Sequence, residues 1–181
     1  FRFITVLIII AGLTELSTLF ARAARSHAFF FIRSILIYSV FSILFFIFGS
    51  GARDEILFTF LVLSIFDSFS QITGQLWGHH KLIPGISPGK TWEGLLGGLF
   101  ISLFSAWLLR DLVRETVPEL IIFTLGITGF AFLGDLLSSY YKRRYKVKDF
   151  NNLIPGHGGF LDRFDSLIAG GAWVAVYSLI V

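Results

Sequence analysis

The sequence contains no cysteine and no methionine. Without cysteine there can be no disulfides, thiolate nucleophiles or cysteine-ligated zinc and iron–sulfur centres, so any metal must bind through oxygen or imidazole. Because there is no methionine, the chain opens at Phe1 without an initiator, and we expect a fragment with further sequence upstream. Charge is scarce as well: 15% of the 181 residues are Asp, Glu, Lys or Arg, against about 25% in a soluble domain. The net charge of +3 is too small to suggest nucleic acid as a partner. There is no soluble domain, low-complexity tract or internal repeat.

Apolar residues are abundant, at 55% of the chain, with a mean hydropathy of +0.77. A bilayer core about 30 Å thick needs roughly 20 apolar residues in a helix, because backbone polar groups must be paired within the segment. Six stretches approach that length: Phe3 to Phe20, Phe29 to Phe48, Ile56 to Leu76, Gly94 to Leu109, Leu120 to Leu137 and Ser166 to Val181. The expected fold class is therefore all-α, a polytopic bundle of about six membrane helices forming one membrane-embedded domain over residues 1–181. The first stretch is not read as a secretory signal, since it contains Glu15 and lacks a cleavage pattern. Glycines at 94, 97 and 98, and at 126, 129 and 134, are spaced to let helices approach closely.

Orientation follows from Lys and Arg, which accumulate in cytoplasmic loops. With six spans, the first, third and fifth connections share one side with Arg22, Arg25, Arg33, Lys81, Lys90, Lys142, Arg143, Arg144, Lys146, Lys148 and Arg163, whereas Arg2, Arg53, Arg110 and Arg114 fall on the other. This asymmetry places both long polar connections, and a cleft between them, on the cytoplasmic side.

Those two connections hold the candidate chemistry. The earlier one contains Ser87-Pro88-Gly89-Lys90-Thr91-Trp92-Glu93. Its Pro and Gly fix a turn, Lys90 supplies a point charge and Ser87 and Thr91 supply hydroxyls, a set able to hold phosphate oxygens ahead of a helix. A plain turn leading into a capped helix is the alternative. The sequence is not a Walker loop, because the glycine run before the lysine is missing. His79 and His80 lack metal-pair spacing and read as interfacial polar residues.

The later connection follows Gly134-Asp135 and runs from Ser139 to Asp165. Asp162 and Asp165, three apart, share a helix face, and Asp135 falls at the end of an apolar span, where an ionisable group is costly and signals function. Magnesium takes one or two carboxylates together with substrate phosphates. On this reading Lys142, Arg143, Lys148 and Arg163 offset phosphate charge, although surface ion pairs would account for the same residues. His157, between glycines, suits either a ligand contact or a structural hydrogen bond. Asp67, within Phe66-Asp67-Ser68-Phe69-Ser70-Gln71, marks a polar cavity or an interhelical cluster.

These segments resemble the phosphatidate cytidylyltransferase (CDP-diacylglycerol synthase) family. The resemblance rests on Ser139, Lys142-Arg143, Lys148-Asp149, Pro155, His157-Gly158-Gly159, Asp162-Arg163 and Asp165. It is supported by Ser87-Pro88 with Lys90-Thr91-Trp92-Glu93-Gly94 and Gly97-Gly98, and by Asp67 with Gly74. It covers about Phe66 to Leu167. Departures occur at Ser70, Gln71, Gln75, Ser138, Tyr141 and Asn151, and they bear on lipid or nucleotide preference more than on reaction type.

The resemblance implies transfer of the cytidylyl group of CTP to phosphatidic acid, with magnesium and room for a second cation. It assigns catalysis to Asp135, Lys148, Asp149, His157, Asp162 and Asp165. Substrate binding falls to Asp67, Ser87, Lys90, Thr91, Glu93, Ser139, Lys142, Arg143 and Arg163, and metal ligation to Asp135, Asp162 and Asp165. The partners expected are CTP, phosphatidic acid and the bilayer, with a homo-oligomer left open. The alternatives weighed are a CTP-dependent lipid kinase, an ion-coupled transporter, and a relative that kept the fold without the activity.

Overall fold

A computed structural model describes residues 1–22, 28–113, 115–151 and 158–180, with the backbone alone at Arg22. Among the described residues stand six α-helices: α1 Arg2–Arg22, α2 Ala28–Phe48, α3 Arg53–Trp77, α4 Trp92–Leu108, α5 Val117–Arg144 and α6 Leu161–Ile180. Between α3 and α4 stands a small antiparallel hairpin, β1 Lys81–Ile83 and β2 Ser87–Thr91, with Lys81 opposite Thr91 and Ile83 opposite Ser87. It is an addition to the all-α expectation, built where Pro84 and Gly85 turn the chain.

Among the described residues α1, α2, α3 and α5 are long and apolar enough to cross a membrane. At 17 residues α4 is apolar but shorter, and α6 carries Asp162, Arg163 and Asp165 in its opening turns. Large apolar side chains point outward all round, as at Phe29, Phe100 and Ile180, which is how a bundle meets lipid rather than water. The protein is an integral membrane protein.

Packing relies on small residues where helices touch. A Cβ at Gly94 would lie 2.7 Å from the Ser70 carbonyl, so α3 and α4 meet backbone to backbone. In α5, Gly134 lies against the backbone of Asp165, where an added Cβ would be 2.8 Å from its carbonyl oxygen. Trp173 of α6 donates its indole N–H to the Phe123 carbonyl at 3.2 Å. Tyr38 of α2 and Tyr141 of α5 tie α1 in, donating to the carbonyls of Ile9 and Leu16 at 3.0 and 3.2 Å. Tyr141, a departure from the family pattern, is thus a buried helix-to-helix strut.

One sequence-based boundary is corrected. The stretch from Ser139 to Arg144 is not part of a connection, because α5 continues through it. No Gly or Pro interrupts positions 135–144, and Lys142, Arg143 and Arg144 suit the negative end of a helix. Asp135 therefore lies more than two turns inside α5.

Candidate active site

Three pieces of chain build the site at one end of the bundle: the hairpin, the last turns of α5 and the first turns of α6. On α5, Asp135, Ser139 and Lys142 recur at helical spacing and share a face, and the Ser139 hydroxyl donates to Asp135 Oδ1 at 3.4 Å. Lys90 reaches over from β2 to place its Nζ 2.5 Å from Asp135 Oδ2, lying also 4.2 Å from the centroid of the Phe132 ring. Arg143 fastens the hairpin to α5, donating to the Ile86 carbonyl at 3.1 Å and to the Val147 carbonyl at 3.2 Å.

The α6 side is more enclosed. Lys142 Nζ lies 2.5 Å from Asp162 Oδ1, with side chains only 11% and 8% exposed. Asp162 Oδ2 accepts the N–H groups of Phe150 at 3.1 Å and Gly159 at 2.8 Å. That contact needs Gly158 at φ +82°, a conformation open to glycine and strained for other residues. Asp149 lies beside Gly158 as well, its Oδ1 3.2 Å from where a Cβ would stand. Asp165 takes the Ser166 N–H at 2.8 Å. Both Asp67 on α3 and Asp165 on α6 lie within electrostatic reach of Asp135, so Asp135 links the acids of three helices.

Other residues picked out from sequence have different placements. Thr91 caps α4, accepting the Gly94 N–H at 3.1 Å, and is buried. Glu93 grips His80, with 2.6 Å between Oε1 and Nδ1. Both residues therefore build the junction of hairpin and helix. Ser87 sits on β2 beside the turn. Lys148 is exposed and Arg163 projects from the first turn of α6. His157 lies outside the described residues.

The His80 ring and nearby backbone N–H groups pull the Glu93 carboxyl down to about 2 from its ordinary 4.5. A depressed carboxyl stabilises the fold fully above its ordinary value, and the contribution is lost as pH falls through the depressed one. The junction should thus hold its charge down to about pH 2. Replacing His80 by Ala is expected to move the Glu93 midpoint back up toward 4.5, as followed by carboxyl carbon NMR. A midpoint unchanged by the substitution would assign the effect to the backbone donors alone.

A cleft of about 150 Å³ opens beside Asp165, walled by α1, α2, α5 and α6. Phe30, Ile37, Phe41 and Leu137 give it apolar sides, while Arg33, Ser138 and Asp165 supply polar groups. The opening is lined from α2, and Gly134 brings α5 and α6 together at the level of Asp165.

The cytidylyltransferase family model matches residues 1–181, the whole chain. The chain belongs to the cytidylyltransferase family. Among similar proteins, a phosphatidate cytidylyltransferase of Staphylococcus saprophyticus is 45% identical over 121 residues, 66% of this chain and 46% of the relative. One from Staphylococcus aureus is 42% identical over 129 residues, covering 68% and 50%. One from Haemophilus influenzae is 40% identical over 120 residues, covering 63% and 42%. The chain thus spans about half the length of the curated relatives it matches.

The magnesium expectation is consistent with the donor set. Asp135, Asp162 and Asp165 are hard oxygen donors, and the Lys90 ammonium already stands where positive charge is favoured against Asp135. Among the described residues no three acidic or imidazole groups converge as a preformed metal cage.

Proposed function

We propose that the protein transfers the cytidylyl group of CTP to the phosphate of phosphatidic acid, giving CDP-diacylglycerol and pyrophosphate, at the cytoplasmic mouth of α5 and α6. The observation that supports this most is the pair of ion pairs, Lys90 with Asp135 and Lys142 with Asp162, beside an apolar cleft that reaches Asp165. Each pair can trade partners. When a triphosphate arrives, the two ammonium groups turn to its oxygens and free the carboxylates. Asp135, Asp162 and Asp165 would then hold magnesium, which supplies charge neutralisation to the triphosphate.

In the reaction a non-bridging phosphate oxygen of the lipid attacks the α-phosphorus of CTP. The bond from that phosphorus to the bridging oxygen breaks, and pyrophosphate leaves with its electron pair. No protein nucleophile is needed, so the chain contributes position and charge. Lys90 and Lys142 bind phosphate oxygens, with Lys148, Arg143 and Arg163 around the opening, and Ser139 orients Asp135. Asp149, beside Gly158, faces the lipid phosphate, His157 keeps the catalytic role that the resemblance gives it, and Asp67 tunes the field at Asp135. Ser87, Thr91 and Glu93 hold the hairpin over the site. The cleft receives acyl chains from the bilayer while CTP enters from water, with Arg33 facing the lipid headgroup.

The test is the purified protein in phosphatidate-containing vesicles with magnesium and labelled CTP. Label should appear in CDP-lipid with one pyrophosphate released per lipid. Release of CDP with a newly phosphorylated lipid would replace this reading by a lipid kinase, and ion flux without CTP turnover would replace it by a transporter.

A further inference from the structure

Glu15 stands in the apolar run of α1 and is only 5% exposed. A buried carboxylate at membrane depth is expensive and calls for a partner. Its partners are backbone: Oε1 accepts the N–H of Phe160 and Oε2 the N–H of Leu161, both at 2.8 Å. These groups open α6, and the first N–H groups of a helix have no acceptor within it. The seat is tight, since a Cβ at Gly159 would lie 2.8 and 2.9 Å from the two Glu15 oxygens.

What Glu15 holds is the strand of chain that carries the site. Gly159, next to Phe160, donates to Asp162; Asp162 takes Lys142; Asp165 follows one turn on, against Gly134 of α5. Two carboxylates from different helices thus clamp residues 159–161, one from α1 and one from α6 itself. An N-cap supplied by the chain just before α6 would stabilise the helix without fixing it against α1. An acceptor on α1 fixes where α6 begins relative to the rest of the bundle.

We propose that Glu15 is a positioning residue for cytidylyl transfer, setting the first turn of α6 so that Asp162 and Asp165 face Asp135. This rests on the functional reading above. Displacement of catalytic groups by about 1 Å costs on the order of 10²-fold in rate, so turnover should suffer while binding of CTP, held by the lysines, changes little.

The experiment compares the full-length protein with its Glu15→Gln and Glu15→Ala variants in vesicles. Pyrophosphate release should show kcat down about 10-fold for Gln, which keeps one acceptor oxygen, and about 100-fold for Ala, with KM for CTP within about threefold. Rates are taken per folded molecule, counted from the monodisperse peak on size exclusion. Deuterium exchange without substrate should speed up at amides 159–166 in both variants. If Ala does not fold, Gln carries both readouts. The exchange measurement needs no activity, so a parent that makes no CDP-lipid would sink the functional reading while the clamp is still decided. Unchanged exchange, an unchanged kcat per folded molecule, or a loss that appears wholly in KM would overturn the proposal.

Discussion

Replacing Asp135 by Asn is expected to lower kcat/KM for CTP by about 10²- to 10³-fold, the range seen when a preorganised electrostatic group is removed from an active site. Asn keeps the shape and can still accept from Ser139, so the α5 backbone has no reason to move. The substitution removes charge, and Asp135 is where Lys90 from the hairpin, Asp67 from α3 and Asp165 from α6 all meet electrostatically. Without that charge the hairpin loses one of its two ties to α5, keeping the one from Arg143 to the Ile86 carbonyl, and magnesium loses a ligand that the proposed chemistry requires. Initial rates of pyrophosphate release over a magnesium series check this. A variant as fast as its parent at every magnesium concentration would remove Asp135 from the mechanism.

Lys142→Met should act on stability as well as on rate. Its partner Asp162 is 8% exposed, and removing one member of a buried ion pair costs about 3–5 kcal/mol because the other charge remains without its counter-ion. Two backbone N–H groups still serve Asp162, which points to the lower end, about 3 kcal/mol. The double variant Lys142→Met/Asp162→Asn should recover most of that loss, since an amide in the same place carries no charge to be compensated, while turnover stays low. Denaturation midpoints of the four proteins in one detergent decide the matter. A double variant no more stable than Lys142→Met would show that packing of the lysine stem, and not the charge of Asp162, sets the cost.

The hairpin, α5 and α6 show why the site was only partly readable. Asp135, Asp162, Lys142 and Lys90 were recognisable as ionisable groups near or within apolar runs, where charge without purpose is too costly to keep. Their pairing was not readable: Lys90 could as well have served phosphate or headgroup, and only the fold of β2 over α5 sets it on Asp135. Glu15 was visible as a charge inside the first span, yet nothing near it in sequence names its partners, which lie 145 and 146 residues away. The extension of α5 to Arg144 is not legible in hydropathy, which falls where the polar residues begin. Helix propensity does not require apolar side chains, and Lys and Arg are good helix formers.

The sequence by itself determined that the chain lives in a membrane, roughly where its helices lie and which polar segments hold the candidate site residues, because hydropathy and segment length are properties of consecutive residues. The tertiary structure alone decided which acid meets which base, that a cleft opens toward α2, and that α1 holds the start of α6. Those contacts join residues far apart in the chain, and they exist only once small residues such as Gly134 have let the helices close on one another.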